Sequence, residues 1–241
     1  MEKISQKDID WLLNLNTNQG GKTLSSTQKK KRFVLRLLAT VLLILGLIVL
    51  PFFLLIRTSI FLNINFGFNG WLALIFGIVA TILLLLFYLL ILFRKVENKR
   101  VFLRFSLAGV SALVLGFCIF GAFYLSSVNA KSDEVREVYR SLHPILRVAV
   151  ATTTLADGGL VITDIQRIPE DYNEMGLSVN AQSLHYVQQS GYVHAIDLRT
   201  HGRWEVRNFL LRTSLEMMGF QTLRHVGTAD HLHVALPLHK K

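Results

Sequence analysis

Asp230-His231-Leu232-His233-Val234 is a strand-like stretch in which two imidazoles stand two residues apart. Successive side chains of an extended chain alternate between faces, so His231 and His233 point together and Leu232 and Val234 point the other way. Upstream, Ala195-Ile196-Asp197-Leu198 reads as a second strand, with Ala195 and Asp197 on one face. Ser183-Leu184-His185 precedes it. Two imidazoles and a carboxylate, each beside strand-forming residues, are what an open zinc site needs, because three protein ligands leave a fourth position for water. His194 is a rival to His185, but it lies three residues before Asp197 and so falls on the opposite face of the strand.

The surrounding pattern predicts an α+β fold, a small and mainly antiparallel sheet with helices on one face. His143-Pro144 opens a helix over Ile145–Leu155, although its β-branched content leaves a strand open. Ala156-Asp157-Gly158-Gly159 is a turn, Leu160–Ile165 a strand, and Arg167–Asn173 a polar loop. A strand follows over about Tyr192–Leu198. Arg203–Met218 is an amphipathic helix with an apolar stripe of Trp204, Phe209, Leu210, Leu215 and Met218, stopped by Gly219. Phe220–Arg224 and His231–Leu236 are expected to pair antiparallel around Gly227.

The first half of the chain is of another kind. All eight histidines lie beyond Lys131, and the formal charge of +10 belongs wholly to residues 1–130, which hold 14 Lys+Arg against 4 Asp+Glu. Those cations flank apolar runs instead of forming a folded basic face, so nucleic-acid binding is not expected. Residues 33–56, 71–93 and 105–125 are each long enough to cross a hydrocarbon core of about 30 Å. The first run is too deep in the chain for a typical signal peptide, and no small-residue cleavage site follows it. The spans hold no acidic residue and no histidine, which favours an anchor in the lipid bilayer over a transport path. Gly109, Gly116 and Gly121 would let helices approach closely. Cys118, the only cysteine, excludes an intramolecular disulfide and a thiolate metal site.

Flanking charge orients the spans. Lys29-Lys30-Lys31-Arg32 keeps a tail of residues 1–32 in the cytoplasm; that tail includes a short amphipathic piece, Ile9–Leu13. The segment 57–70 carries a single cation and is expected outside, whereas Arg94–Arg104 is basic and returns inside. Residues 126–142, a charged linker helix, and the domain at 143–241 are then expected on the outer face, periplasmic or extracellular.

The order of helix, strand, Arg loop, Ser-x-His, Ala-x-Asp-Leu, helix, Gly-Phe and His-x-His-Val over residues 143–237 resembles the zinc D-Ala-D-Ala carboxypeptidases, within the lysostaphin-like peptidoglycan metallopeptidases. The resemblance implies zinc held by His185, Asp197 and His233. It also implies a general base at His231 or Asp230, with His231 preferred because aspartate is a methylene short of the usual glutamate, and Arg167 clamping a substrate carboxylate or oxyanion. The expected protein is a bacterial, membrane-anchored metallopeptidase that hydrolyses peptidoglycan stem peptides or their precursors. The alternative is an inactive, peptidase-like wall-binding or regulatory module. Eleven residues separate His185 from Asp197, a longer interval than in that family, and Tyr186–Ser190 reads as an insertion. Ser183 is not a nucleophile, because it lies in no Gly-x-Ser-x-Gly elbow.

Overall fold

A computed structural model describes residues 6–7, 26–174, 176, 178–227 and 230–239. The expected amphipathic piece at Ile9–Leu13 lies outside the described residues. The chain divides into two compact units, 1–48 and 49–241. In the first, the described helix turns expose apolar side chains such as Phe33, Leu38, Leu43 and Ile48.

Three long apolar helices come first: α1 (Ser26–Phe66), α2 (Gly70–Leu92) and α3 (Lys99–Phe123). All three are long and apolar enough to cross a membrane. The α1 helix runs ten residues beyond the predicted end at Ile56, through a segment expected to be a loop. Its polar residues there suit a helix: Ser59 Oγ donates to the Leu55 carbonyl at 2.7 Å and Asn65 Nδ2 to the Phe61 carbonyl at 2.9 Å. Gly67, at φ +67°, ends the run. Asn69 then caps α2 by accepting from the Leu72 N–H at 2.9 Å, and Asn98 caps α3 through the Val101 N–H at 3.2 Å.

Residues 126–142 are not one helix. A 3-10 turn (Ser127–Asn129), a short α4 (Asp133–Glu137) and a second 3-10 turn (Val138–Ser141) replace it. The reason is competition from the sheet: the Lys131 N–H donates to the Ile162 carbonyl at 2.8 Å, and Asn129 Nδ2 reaches the carbonyls of Gly158 and Leu160. The expected helix at 145–155 is present as α5 (Pro144–Ala156), with His143 at its N-cap. There follow β1 (Ile162–Asp164), α6 (Pro169–Glu174), β2 (Ala195–Arg199), α7 (Glu205–Met218), β3 (Gln221–His225) and β4 (His231–Ala235). The four strands form one antiparallel sheet in the order β1-β2-β4-β3. The α+β class, the small antiparallel sheet, the hairpin and the Gly219 stop agree with the sequence reading; Gly219 sits at φ +110° and its N–H meets the carbonyls of Leu215 and Glu216.

Within the second unit the sheet domain and the helix bundle share a single core. Leu55, Ile56 and Ile60 of α1, Ala73 and Leu74 of α2, and Val114 and Cys118 of α3 are buried in the same cluster as Ile145, Val148, Ile162, Ile196 and Leu232. The last carbonyls of α3 have no partner within their own helix, and the domain supplies them. Tyr139 Oη donates to the Gly121 carbonyl at 2.6 Å and Arg147 Nη1 to the Ala122 carbonyl at 2.7 Å. The buried Arg147 guanidinium also lies over the rings of Trp71 and Tyr192, at 5.1 and 5.7 Å.

Of the three glycines expected at close approaches, Gly121 alone meets one, and Gly77 adds another. Gly109 and Gly116 face open space, whereas Gly121 abuts Ala151 and Gly77 abuts Leu55. A Cβ at Gly77 would stand 2.5 Å from the Leu55 carbonyl oxygen, a backbone atom that cannot step aside. Gly77→Ala is therefore expected to cost about 1–3 kcal/mol, read as a lowered unfolding midpoint in detergent micelles. A second expectation concerns His143, whose ring is buried beside His194, Arg147 and Tyr192. Burial, with the His194 and Arg147 charges, lowers its pKa from 6.5 to about 3. Folded His143 then stays neutral while the unfolded chain takes up a proton below pH 6.5. Its contribution is complete above pH 6.5 and declines as pH falls towards 3. Unfolding midpoints across that range should drop less steeply for His143→Gln than for the native chain.

Candidate metal centre

Strand register builds the site. Asp197 of β2 stands directly opposite His233 of β4, so their side chains leave the sheet on one face. His185 arrives from the segment between α6 and β2. The residues that follow it do not carry it away from β2, because they close a hairpin of their own. Val187 bridges Val193, the Gln188 N–H donates to the Tyr192 carbonyl at 2.9 Å, and the His194 N–H returns to the Leu184 carbonyl at 2.9 Å. Ser183 has a positioning role: its Oγ accepts from Tyr172 Oη at 2.7 Å and from the His185 N–H at 3.3 Å.

His185, Asp197 and His233 converge, each with a ligand-type atom within 4.8 Å of the others. The triangle has edges of 3.2 Å (His185 Nε2 to His233 Nδ1), 3.3 Å (His185 Nε2 to Asp197 Oδ1) and 2.9 Å (His233 Nδ1 to Asp197 Oδ1). Tetrahedral zinc with bonds of about 2.0–2.1 Å requires ligand atoms about 3.3–3.4 Å apart, since a tetrahedral edge is about 1.63 times the bond. Three donors already near that spacing need only small shifts to accept an ion. The ring orientation also fits: His185 Nδ1 lies 2.7 Å from the Ile165 carbonyl, so Nε2, which lies against Asp197 and His233, is the nitrogen that would face an ion.

Asp197 is the pivot. Burial alone would raise its pKa, but hydrogen bonds from His185 and His233, with the nearby Arg167 charge, hold it well below the ordinary carboxylate range. Arg167 Nη2 donates to Asp197 Oδ2 at 2.6 Å, while its Nε donates to Asp164 Oδ2 at 2.5 Å. Burial opposes the Arg167 charge, yet the two carboxylates raise its pKa on balance. The expected substrate clamp is thus committed through one nitrogen to Asp197 and through another to Asp164, and it lies 5.6 Å over the Tyr172 ring.

His231 joins the same face, with Nε2 3.7 Å from Asp197 Oδ2 and a quarter of its side chain exposed. Asp230 does not. It stands one step out of phase with His231 and His233, and its carboxylate accepts from Thr200 Oγ1 at 2.6 Å and from Arg224 at 2.9 Å. Those bonds lower its pKa to about 2. A residue three before a ligand shares its face on a helix but not on a strand, and this corrects the expectation of Asp230 as a base. His194 is likewise turned away, with Nε2 2.7 Å from Ser190 Oγ and its ring against His143.

His225, left outside the sequence motifs, does belong here. It is the register partner of His231 and stacks on it with centroids 4.8 Å apart; the β3–β4 pairing was the signal that could have found it. A cavity of about 400 Å³, lined by Arg167, Tyr172, His185, Asp197, His225 and His231 among others, opens over the triad.

No protein-family model matches the chain, and neither a curated protein nor a solved structure matches it.

Partners that orient a metal ligand influence affinity almost as strongly as the ligands themselves. Arg167→Met, which keeps bulk but releases Asp197, is expected to weaken binding of a metal ion at the triad, probed with zinc, by about 10–100-fold. Competition against a chromophoric chelator would measure it.

Proposed function

We propose that the chain is a membrane-anchored, zinc-dependent peptidase of the D-Ala-D-Ala carboxypeptidase and lysostaphin-like type. In this reading it acts on peptidoglycan stem peptides or their precursors. The observation that carries the proposal is the His185–Asp197–His233 triangle, a two-nitrogen, one-oxygen donor set at near-tetrahedral spacing with a cavity over it. That set suits zinc, and three protein ligands with an open fourth position mark a catalytic rather than a structural site. Zinc bound there supplies a Lewis acid and a water acidic enough to ionise near neutral pH.

The remaining steps fall to the chain's own groups. His231 Nε2 takes a proton from water in the cavity and returns it to the departing amine. Arg167 fixes Asp197, and the Ile165 carbonyl fixes the His185 ring orientation. The flanking charges support a cytoplasmic N-terminus and a domain on the outer face of a bacterial cytoplasmic membrane. The displacement of Asp230 favours one other reading, a wall-binding module that keeps the metal but lacks a carboxylate base.

The test uses the full chain in detergent or nanodiscs, with metal content and cleavage of peptidoglycan fragments as readouts. Zinc near one per chain is expected, lost in His185→Ala and retained in His194→Ala. His231→Ala should keep zinc while turnover falls by about 10²–10⁴-fold. Bound zinc without turnover in the native chain would favour the binding module, and absence of zinc would overturn both readings.

A further inference from the structure

The outer face of α7 is apolar. At 100° per residue, Asn208, Leu211, Leu215 and Met218 form its buried side. Val206, Phe209, Leu210 and Met217 fall on the opposite side, each between 59% and 65% exposed. Trp204, 80% exposed, stands just before the first turn. The stripe expected from the sequence is therefore split: Leu215 and Met218 face the core, and Trp204, Phe209 and Leu210 face outward. A helix on the surface of a water-soluble domain normally turns polar residues that way.

The place of this helix in the fold indicates what covers it. Its C-cap rests on α1: a Cβ at Gly219 would strike the Arg57 guanidinium and stand 3.2 Å from Ile60 Cγ2. Arg57 follows directly on the apolar run Phe33–Ile56, so this end of α7 lies beside the cation that closes that run in the sequence. Between the two apolar faces run Arg207, Arg212, Glu205 and Glu216. An apolar stripe bordered by charge, with tryptophan at its edge, is the pattern of helices lying at the level of lipid headgroups.

We propose that α7 lies in the plane of the bilayer surface, with Trp204, Val206, Phe209, Leu210 and Met217 inserted among the lipids. The partner is the membrane that holds α1 to α3, and the inference does not depend on the zinc reading. Because β3 follows α7 directly and carries Leu223 and His225 into the wall of the metal-site cavity, the inserted helix would hold that cavity close to the lipid surface.

Nitroxide labels test this in the full chain, in a Cys118→Ala background, reconstituted in vesicles of phosphatidylethanolamine and phosphatidylglycerol. Labels at Phe209→Cys, Leu210→Cys and Met217→Cys should collide more with oxygen and less with a water-soluble nickel chelate than a label at the exposed His201→Cys. Nickel accessibility equal to that at His201→Cys would overturn the proposal. Shielding from both reagents with dipolar broadening between labels would also overturn it, by showing a second copy as the partner. A measurement without cysteine variants is quenching by brominated lipid. The native chain should lose more fluorescence than Trp204→Phe, and equal quenching would overturn the proposal.

Discussion

A carboxylate almost wholly removed from water governs the candidate metal centre. Asp197 is 2% exposed, and a charge so placed persists only when its neighbours replace the lost hydration. Arg167 takes one oxygen, and His185 and His233 share the other. Each of these partners comes from a different part of the chain. The requirement to satisfy one side chain therefore fixes the Arg loop, the Ser-x-His segment and the β2–β4 register together.

The second constraint is the junction between bundle and sheet. The α5 helix is buried along most of its length, with Arg147 aimed at a carbonyl in the last turn of α3. An unpaired buried polar group costs on the order of 1–3 kcal/mol, so Tyr139 and Arg147 contribute to the bundle as much as to the domain. The domain is welded to the helix bundle by packing and hydrogen bonds, which is more than a linker would provide.

Much of this was legible in the residues. Uninterrupted apolar runs announce the long helices, and strand periodicity places His231 with His233 and sets His194 apart. What was not legible has specific causes. Two apolar rows interleave along α7, and periodicity alone cannot say which row meets the core and which meets something outside the chain. Asp230 misleads because a spacing of three carries opposite meanings on a helix and on a strand. The 126–142 segment has helical composition, yet carbonyls more than 25 residues away in sequence compete for its donors. The eleven residues between His185 and Asp197 conceal in sequence how near the two side chains lie, because the intervening chain closes on itself as a hairpin.

The shared core also imposes an order on assembly. Residues of α1, α2 and α3 leave the ribosome before any strand of the sheet, and they supply one wall of the cluster on which α5 and the strands pack. The sheet domain thus completes its interior only on helices already in place. The apolar helices are in effect a template for the later half, and an emerging domain deprived of them would present its unfilled side to whatever hydrophobic surface was nearest.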